Sequence, residues 1–351
     1  MENINKSTGL IDFDPATTLD ESLLRPMLAT LADQPFNDPQ WEFEIKWDGY
    51  RTLALLKADA TDLLSRNDKS YNDKFFPIQH TLRKWDLDAV LDGEIVVIDS
   101  QGRSNFSALQ NWRSNQDGEL IYYVFDLLSY NGKDLTHLPL SERRNLLRLI
   151  IPADDPMVKL STSLKLSGTE SFAYAQANAL EGIIAKRKDS QYLPGKRSHE
   201  WLKIKVKKRQ EVLIAGYTVN PESPRIFSAL VLGIYNQHKL HFIGKVGTGF
   251  SEKSAAEIMT QLLPLTTDKN PFNAELGQAW PPELKKLSAD KSTFWLTPDL
   301  ICEIEYSEIT REGFFRHPSF KGMRIDKDPL SVQKEEENSA FEILNEIDNE
   351  S

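Results

Sequence analysis

Between residues 42 and 206, short alternations of apolar and polar side chains recur, each bounded by turn-forming residues. A period of two places alternate side chains on opposite faces, so 53–57, 89–98, 120–128, 182–186 and 201–206 are expected to be strands. Helical spacing intervenes at 75–84, 141–149 and 169–180. The last of these runs into Glu181-Gly182, where the glycine is expected to cap the helix and feed the next strand. No regular strand–helix–strand rhythm appears. The expectation is an α+β domain with mainly antiparallel pairing.

After Lys208 the pattern changes. Strands are expected at 211–219, 227–235 and 239–246, with Asn236-Gln237-His238 closing a hairpin between the second and third. A helix at 251–263, a Pro-rich stretch and a strand at 300–307 follow. Five or so strands with one helix suit a small oligonucleotide/oligosaccharide-binding (OB) barrel. Gly244-Lys245-Val246-Gly247-Thr248-Gly249 lacks phosphate-loop spacing and is expected to be a tight turn. The resulting division is a mobile leader at 1–24, a first domain at 25–208, a barrel at 209–332 and a mobile acidic tail at 333–351. Within that tail, Phe341-Glu342-Ile343-Leu344 has the makings of a short docking turn.

The formal net charge of −10 argues superficially against a polyanionic partner, but its distribution is uneven. Acid concentrates toward the C-terminus, in Glu335, Glu336, Glu337, Glu342, Glu346, Asp348 and Glu350. Bases concentrate between Lys186 and Arg209. In Trp201-Leu202-Lys203-Ile204-Lys205-Val206-Lys207 the alternation puts three lysines on one strand face and Leu202, Ile204 and Val206 on the other. Three ammoniums in a row repel one another unless an anion sits among them, and phosphate is the natural candidate. No apolar run is long enough for a membrane span, and the N-terminus does not resemble a secretory signal. The single cysteine, Cys302, excludes an internal disulfide framework and is expected to be buried. The six scattered histidines show no zinc-ligand spacing.

The chemistry-bearing residues lie at strand ends. Lys46-Trp47-Asp48-Gly49-Tyr50-Arg51 follows the alternating run 41–45 and offers a primary amine, although Asp-Gly is also an ordinary turn dipeptide. An amine is nucleophilic only when unprotonated, so it needs a site that lowers its pKa. Ser65-Arg66-Asn67 presents a guanidinium at a turn. Leu91-Asp92-Gly93-Glu94-Ile95 is expected to be strand–turn–strand with a carboxylate at its tip. Tyr122-Tyr123-Val124-Phe125-Asp126 offers rings along a strand, and Glu181-Gly182-Ile183-Ile184-Ala185-Lys186 an acid and an amine. With Lys203 and Lys205 these supply a nucleophile, a stacking platform, carboxylates for a metal and cations for a phosphate. Each has a plainer alternative: Arg66 closes a turn, Glu94 tips a hairpin, and Phe125, Trp47 and Trp201 fill a core. Asp126 is either a strand-end hydrogen-bonding group or part of the site.

The ordered set K-x-D-G-x-R, S-R-N, D-G-E, Y-x-F-D, E-G-I-I-A-K and W-L-K-I-K resembles the covalent nucleotidyltransferase superfamily, specifically the ATP-dependent DNA ligases. The segment 315–327, ending in Arg324-Ile325-Asp326-Lys327, resembles the end of the ligase domain of bacterial ligase D, the end-joining ligase. The resemblance covers roughly residues 26 to 330. It implies an adenylation domain of antiparallel sheets and helices followed by an OB-fold barrel.

The same resemblance implies that Lys46 becomes lysyl-AMP, that Arg51 and Arg66 contact the nucleotide and a nick 5′-phosphate, and that Glu94 binds ribose and supports metal-dependent steps. Phe125 would stack on adenine, Glu44 meet the adenine edge, Glu181 associate with metal, and Lys203 and Lys205 hold the α-phosphate. Arg324, Asp326 and Lys327 would orient pyrophosphate, while Lys203 and Lys205 keep Lys46 neutral. The barrel would swing about a hinge at 206–210. ATP and Mg²⁺ (or Mn²⁺) are the implied cofactors, and nicked or broken double-stranded DNA the implied substrate. The chain shows no room for a helical DNA-binding domain before Lys46, nor polymerase or nuclease modules. The expectation is a minimal monomeric ligase of the bacterial cytosol and nucleoid, recruited by a Ku-like end-binding protein. The competing expectations are an RNA ligase or capping-type nucleotidyltransferase, and a non-catalytic DNA-end-binding scaffold. The scaffold should have lost Lys46, Glu94, Glu181 or Lys205, and has lost none.

Overall fold

The computed structural model describes residues 19–20 and 24–350, apart from 59, 101, 114–117, 238, 273–279, 311 and 336–337. Its first half holds two sheets. A four-stranded sheet runs in the order Leu28–Leu31, Arg197–Lys205, Gly182–Arg187, Trp41–Ile45. A six-stranded sheet has the path Ala60–Ser65, Tyr50–Lys57, Ala89–Ile98, Glu119–Tyr130, Lys133–Asp134, with Val158–Leu160 also pairing with Glu119–Tyr130. Pairing is antiparallel except where Leu28–Leu31 meets Arg197–Lys205 and Val158–Leu160 meets Glu119–Tyr130. The α+β expectation holds.

Helices Phe76–Arg83 and Leu140–Ile150 form close to where the spacing places them. Ile78, Leu82, Leu146 and Leu147 bury their apolar stripes in the core of the six-stranded sheet. Helix Gly168–Ala177 opens on Ser167, whose hydroxyl and Glu170 form a capping box. Its end differs from expectation. Asn178 is the C-cap, and Ala179 takes the left-handed conformation at φ 54°. Gly182 instead lies within a strand, where a Cβ would sit 2.2 Å from the Ile204 carbonyl oxygen. It is glycine because two backbones meet there.

Asp92-Gly93-Glu94 is likewise not a turn. All three belong to the unbroken strand Ala89–Ile98, whose register slips between Asp92 and Gly93. A Cβ at Gly93 would lie 2.5 Å from the Tyr122 ring, so a bulge beside that ring replaces the expected hairpin tip.

The second half is built on a six-stranded antiparallel sheet, beside which Glu308–Ile309 and Phe315–Arg316 pair as a separate two-stranded sheet. Strands Lys239–Val246, Ala229–Asn236, Arg209–Thr218, Thr293–Glu305 and Thr266–Thr267 lie in that order, and Ser319–Arg324 also pairs with Thr293–Glu305. A hydrogen bond from Phe320 N to Thr248 O (2.9 Å) draws the loop after Lys239–Val246 onto Ser319–Arg324, bringing two edges of the sheet together. The glycines of that loop make the expected turn, with Gly249 at φ +91° against the Phe320 backbone. Helix Glu252–Leu262 covers this core through Ile258 and Leu262. Cys302 is buried in it, and burial pushes its thiol well above the usual range.

Both chain ends depart from the mobile reading where they are described. Residues 1–18 and 21–23 lie outside the described residues, but Leu19 and Leu24 pack with Met27, Leu53, Val90 and Phe125. The acidic tail leaves the barrel at Val332 and returns to the four-stranded sheet. Asn338 N donates to Leu31 O (3.1 Å), and Asp33 N donates to Asn338 O (3.0 Å). Helix Ala340–Glu350 then sets Ala340, Ile343 and Ile347 against the core of Trp41, Phe43 and Ile183. Its i, i+3, i+7 spacing is an amphipathic stripe longer than the expected docking turn.

Candidate active site

Lys46 lies where the chain leaves one sheet for the other. Strand Trp41–Ile45 ends the four-stranded sheet and Tyr50–Lys57 begins its passage through the six-stranded sheet, so 46–49 bridge the cleft. The crossing is tight. A Cβ on Gly49 would stand 2.2 Å from the Ile95 carbonyl oxygen, and Lys46 N donates to Gly182 O (3.0 Å). Lys46 and Glu181 are thereby pinned on neighbouring strand ends, and their side chains meet at 2.6 Å.

A cavity of about 220 Å³ opens around this pair. It is lined by every residue the sequence singles out as a site: Glu44, Lys46, Arg51, Arg66, Glu94, Phe125, Glu181, Lys203, Lys205, Arg324, Asp326 and Lys327. The last three come from the second half of the chain, so the barrel is closed over the cleft. Asn67 Nδ2 donates to Asp326 O (3.2 Å), Lys69 Nζ donates to Ile325 O (3.1 Å), and Gln110 Nε2 donates to Met323 O.

The electrostatics of Lys46 overturn one expectation. Burial alone would lower its pKa, but the adjacent Glu181, with Asp48 and Glu94, outweighs burial and raises it. Lys203 and Lys205 therefore do not keep the amine neutral; in this state it is held as an ammonium. Glu181 is held as a carboxylate against its own burial by Lys46, Arg209 and Lys205. Glu94 has no such balance, and burial pushes it up to about 7 despite Arg51 and Lys46.

The other expected contacts divide in two. Arg51 is engaged within the fold, since its Nε and Nη2 donate to the two Asp92 oxygens at 2.6 Å each. The guanidinium also stacks over the Phe125 ring, 4.5 Å from its centroid. Lys186 stacks on that ring as well (4.2 Å) and pairs with Glu44 at 2.9 Å. Glu44 additionally accepts from Arg144 Nη1 (2.5 Å) and Ser161 Oγ (3.2 Å). Arg66, by contrast, makes no hydrogen bond or ion pair among the described residues, and burial lowers its pKa. A half-buried guanidinium without an acceptor is poised for an anion.

Arg324 forms a two-pronged pair with Asp326 (2.9 Å each) and lies over the Phe106 ring at 4.8 Å. Lys327 reaches Glu211 at 3.2 Å. The strand alternation at Lys203 and Lys205 is as expected, but Lys207 lies beyond the strand end and donates to Ala179 O (2.9 Å). Asp126 resolves in favour of a structural bond. It is fully buried and gripped by Arg143 Nε and Nη2 at 2.8 Å each. Trp201 is buried, donating from Nε1 to Ser190 Oγ (3.3 Å), and Trp47 stacks on Tyr123 at 3.8 Å.

Several cavity residues escape sequence reasoning. Arg209 joins the halves, reaching Asp48 at 2.5 Å and both Glu303 and Glu305 at 3.4 Å. Burial pushes Glu303 up to about 7. Glu335, from the acidic tail, sits on Lys203 (2.5 Å) and Lys205 (2.6 Å). The lysine strand signalled a missing anion, but no local pattern could name a carboxylate so distant in the chain. Among the described residues, no cluster of three His, Cys, Asp or Glu side chains could alone hold a metal. The acids around Lys46 suit a cation whose remaining ligands arrive with a substrate, as Mg²⁺ commonly takes one or two carboxylates plus phosphate oxygens.

Comparison with known proteins gives consistent results. A family described as "ATP dependent DNA ligase domain" matches residues 26–205, and "ATP dependent DNA ligase C terminal region" matches 223–327. The multifunctional non-homologous end joining protein LigD of Pseudomonas aeruginosa is 35% identical over 323 residues, covering 89% of this chain and 36% of that protein. The LigD of Mycolicibacterium smegmatis is 36% identical over 313 residues, covering 88% and 39%. A solved structure of mycobacterial DNA ligase D complexed with ATP and MES is 35% identical, with a TM-score of 0.65, covering 90% of this chain and 100% of that one. The chain thus spans well under half the length of these two LigD proteins.

Proposed function

Because the chain belongs to the ATP-dependent DNA ligase family, whose members pair an adenylation domain with an OB-fold barrel, we propose that Lys46 is the residue through which it activates DNA ends. The observation that carries this reading is the placement of the Lys46 amine in a cavity lined from both halves of the chain by Lys203, Lys205, Arg66 and Lys327. A polyphosphate fits that field of cations.

In the proposed first step Lys46 Nζ attacks the α-phosphorus of ATP, the bond to pyrophosphate breaks, and a lysyl–AMP phosphoramidate forms. Glu181, 2.6 Å from the ammonium, orients it and is placed to take the first of its protons, which frees the lone pair for attack; the second leaves to solvent as the P–N bond forms. Lys203, Lys205 and Arg66 hold phosphate oxygens, while Arg324 and Lys327 hold the leaving pyrophosphate. Phe125 and Glu44 bound the base. Glu94 and Glu181 would hold Mg²⁺ (or Mn²⁺), which supplies charge to offset the phosphates. The AMP then passes to a DNA 5′-phosphate, and the neighbouring 3′-hydroxyl displaces it to seal the strand. The latter steps need the barrel to move about the expected hinge at 206–210, of which 206–208 separate Lys205 at the end of one strand from Arg209 at the start of the next, while Arg209 and Gln210 already belong to that strand.

Non-homologous end joining, recruitment by a Ku-like protein, and monomeric action in the bacterial cytosol belong to the same proposal. The first is supported by the names of relatives that this chain covers only in part, and the others rest on the family resemblance alone. No helix among the described residues is long and apolar enough to cross a membrane. The test is to incubate the protein with ATP or GTP and Mg²⁺ on nicked DNA, nicked RNA and blunt DNA ends. Sealing of nicked DNA with ATP is expected. Sealing confined to RNA, or dependent on GTP, would replace this reading with that of an RNA ligase or capping-type enzyme.

A further inference from the structure

The acidic tail does more than close the chain. It crosses from the barrel to the adenylation domain as a second connection beside residues 206–208. On the barrel side Tyr235 N donates to Val332 O (3.3 Å), while Gln210 Nε2 donates to Gln333 O (3.0 Å) and Gln210 Oε1 accepts from Glu335 N (3.1 Å). On the adenylation side Asn338 pairs with the backbone of Leu31 and Asp33, and Asp33 Oδ1 accepts from Ala340 N (3.0 Å). Helix Ala340–Glu350 is anchored there by Ile343 and Ile347. Between these two anchorages stands Glu335.

Its carboxylate spans the two lysines, one oxygen on each. Lys203 has no other ion-pair partner among the described residues. Two oxygens of one anion bridging two ammoniums on one strand face is also what a phosphate group would present to them. We propose that Glu335 is a built-in competitor of the nucleotide phosphate, held on Lys203 and Lys205 by the C-terminal strap, so that ATP enters fully only when the strap lets go. This rests on the reading of those two lysines as the phosphate-binding cations. Because the strap is fixed to both halves of the chain, displacing Glu335 also loosens the barrel. Nucleotide entry and barrel movement thereby become one equilibrium.

The competition sets an apparent affinity: a site open in only a fraction of molecules binds its ligand more weakly by that fraction. A strap closed in about nine molecules of ten would weaken ATP about tenfold. The experiment uses the full chain and measures initial rates of protein–AMP formation against ATP concentration for the parent, Glu335→Gln, Glu335→Asp and the lysine variants Lys203→Ala and Lys205→Ala. Glu335→Gln exchanges one oxygen for an amide of the same shape at a half-buried position, and a thermal melt verifies that the fold is retained. The concentration of ATP giving half-maximal rate should fall about tenfold in Glu335→Gln with little change in the saturating rate, and stay near the parent in Glu335→Asp. An unchanged or weakened ATP dependence in Glu335→Gln, with the lysine variants impaired, overturns the strap proposal and leaves the phosphate site standing. Unimpaired lysine variants would overturn the phosphate-site reading itself, and the strap proposal with it.

Discussion

Replacing Arg209 by alanine should separate the two chemical stages. Arg209 opens the first barrel strand, yet its guanidinium reaches Asp48 in the nucleophile loop at 2.5 Å, with Glu303 and Glu305 at 3.4 Å behind it. Burial would lower its pKa, but Asp48, Glu303 and Glu181 raise it further, so it is charged at any working pH. Removing one member of a buried ion pair typically costs about 3–5 kcal/mol, because the partner is left uncompensated. Here both side chains of the Asp48 pair retain about a tenth of their exposure, so the penalty is discounted to about 2–3 kcal/mol. Asp48 is stranded only while the barrel is closed, so the loss falls on the closed state. Lysine adenylylation should slow by roughly 30- to 150-fold. Sealing of a nick that already carries AMP, proposed to need the barrel turned away, should be unaffected or faster. The assay compares single-turnover protein–AMP formation with single-turnover sealing of pre-adenylylated DNA, and Arg209→Lys should recover part of the first rate. Equal loss in both steps, or loss in neither, would refute the reasoning.

Two other perturbations have directional outcomes. Asp126→Ala strands the fully buried Arg143, so it should cost about 3–5 kcal/mol in urea unfolding while protein–AMP yield per folded molecule stays at the parent level; a selective loss of adenylylation would return Asp126 to the site. Burial holds Glu94 at about 7, above an ordinary glutamate, so folding favours its protonated form. That contribution is complete below about pH 4.5 and is lost as pH rises through about 7. Glu94→Gln, which cannot ionise, should therefore match the parent's stability at pH 4 and exceed it at pH 8.5 by about 1–2 kcal/mol after discounting for partial solvent access; an equal difference at both pH values would contradict this.

The site was legible where local pattern and chemistry coincide. Alternation at 201–207 faced Lys203 and Lys205 together, and strand ends carried Lys46 and Glu181 to one cleft. What escaped depends on contacts between distant segments. Asp92-Gly93-Glu94 reads as a turn because Asp-Gly favours turns, but the Tyr122 ring beside Gly93 makes the glycine a packing requirement within a strand. Gly182 reads as a helix cap because glycine commonly ends helices, and its true constraint is the Ile204 backbone. Strand Leu28–Leu31 is too short to show a period, and its pairing with Arg197–Lys205 is parallel and long-range. The tail reads as mobile from its charge, yet Ala340, Ile343 and Ile347 give it a buried stripe. Lys46 reads as neutral among lysines because sequence cannot measure the 2.6 Å to Glu181.

The central claim is that Lys46 carries the AMP. Intact-mass measurement after incubation with ATP and Mg²⁺, followed by peptide mapping, tests it directly. A single AMP adduct is expected on the peptide containing Lys46, lost on adding pyrophosphate and absent in Lys46→Ala. An adduct that persists in Lys46→Ala, or that maps to Lys186 or Lys203, would contradict it.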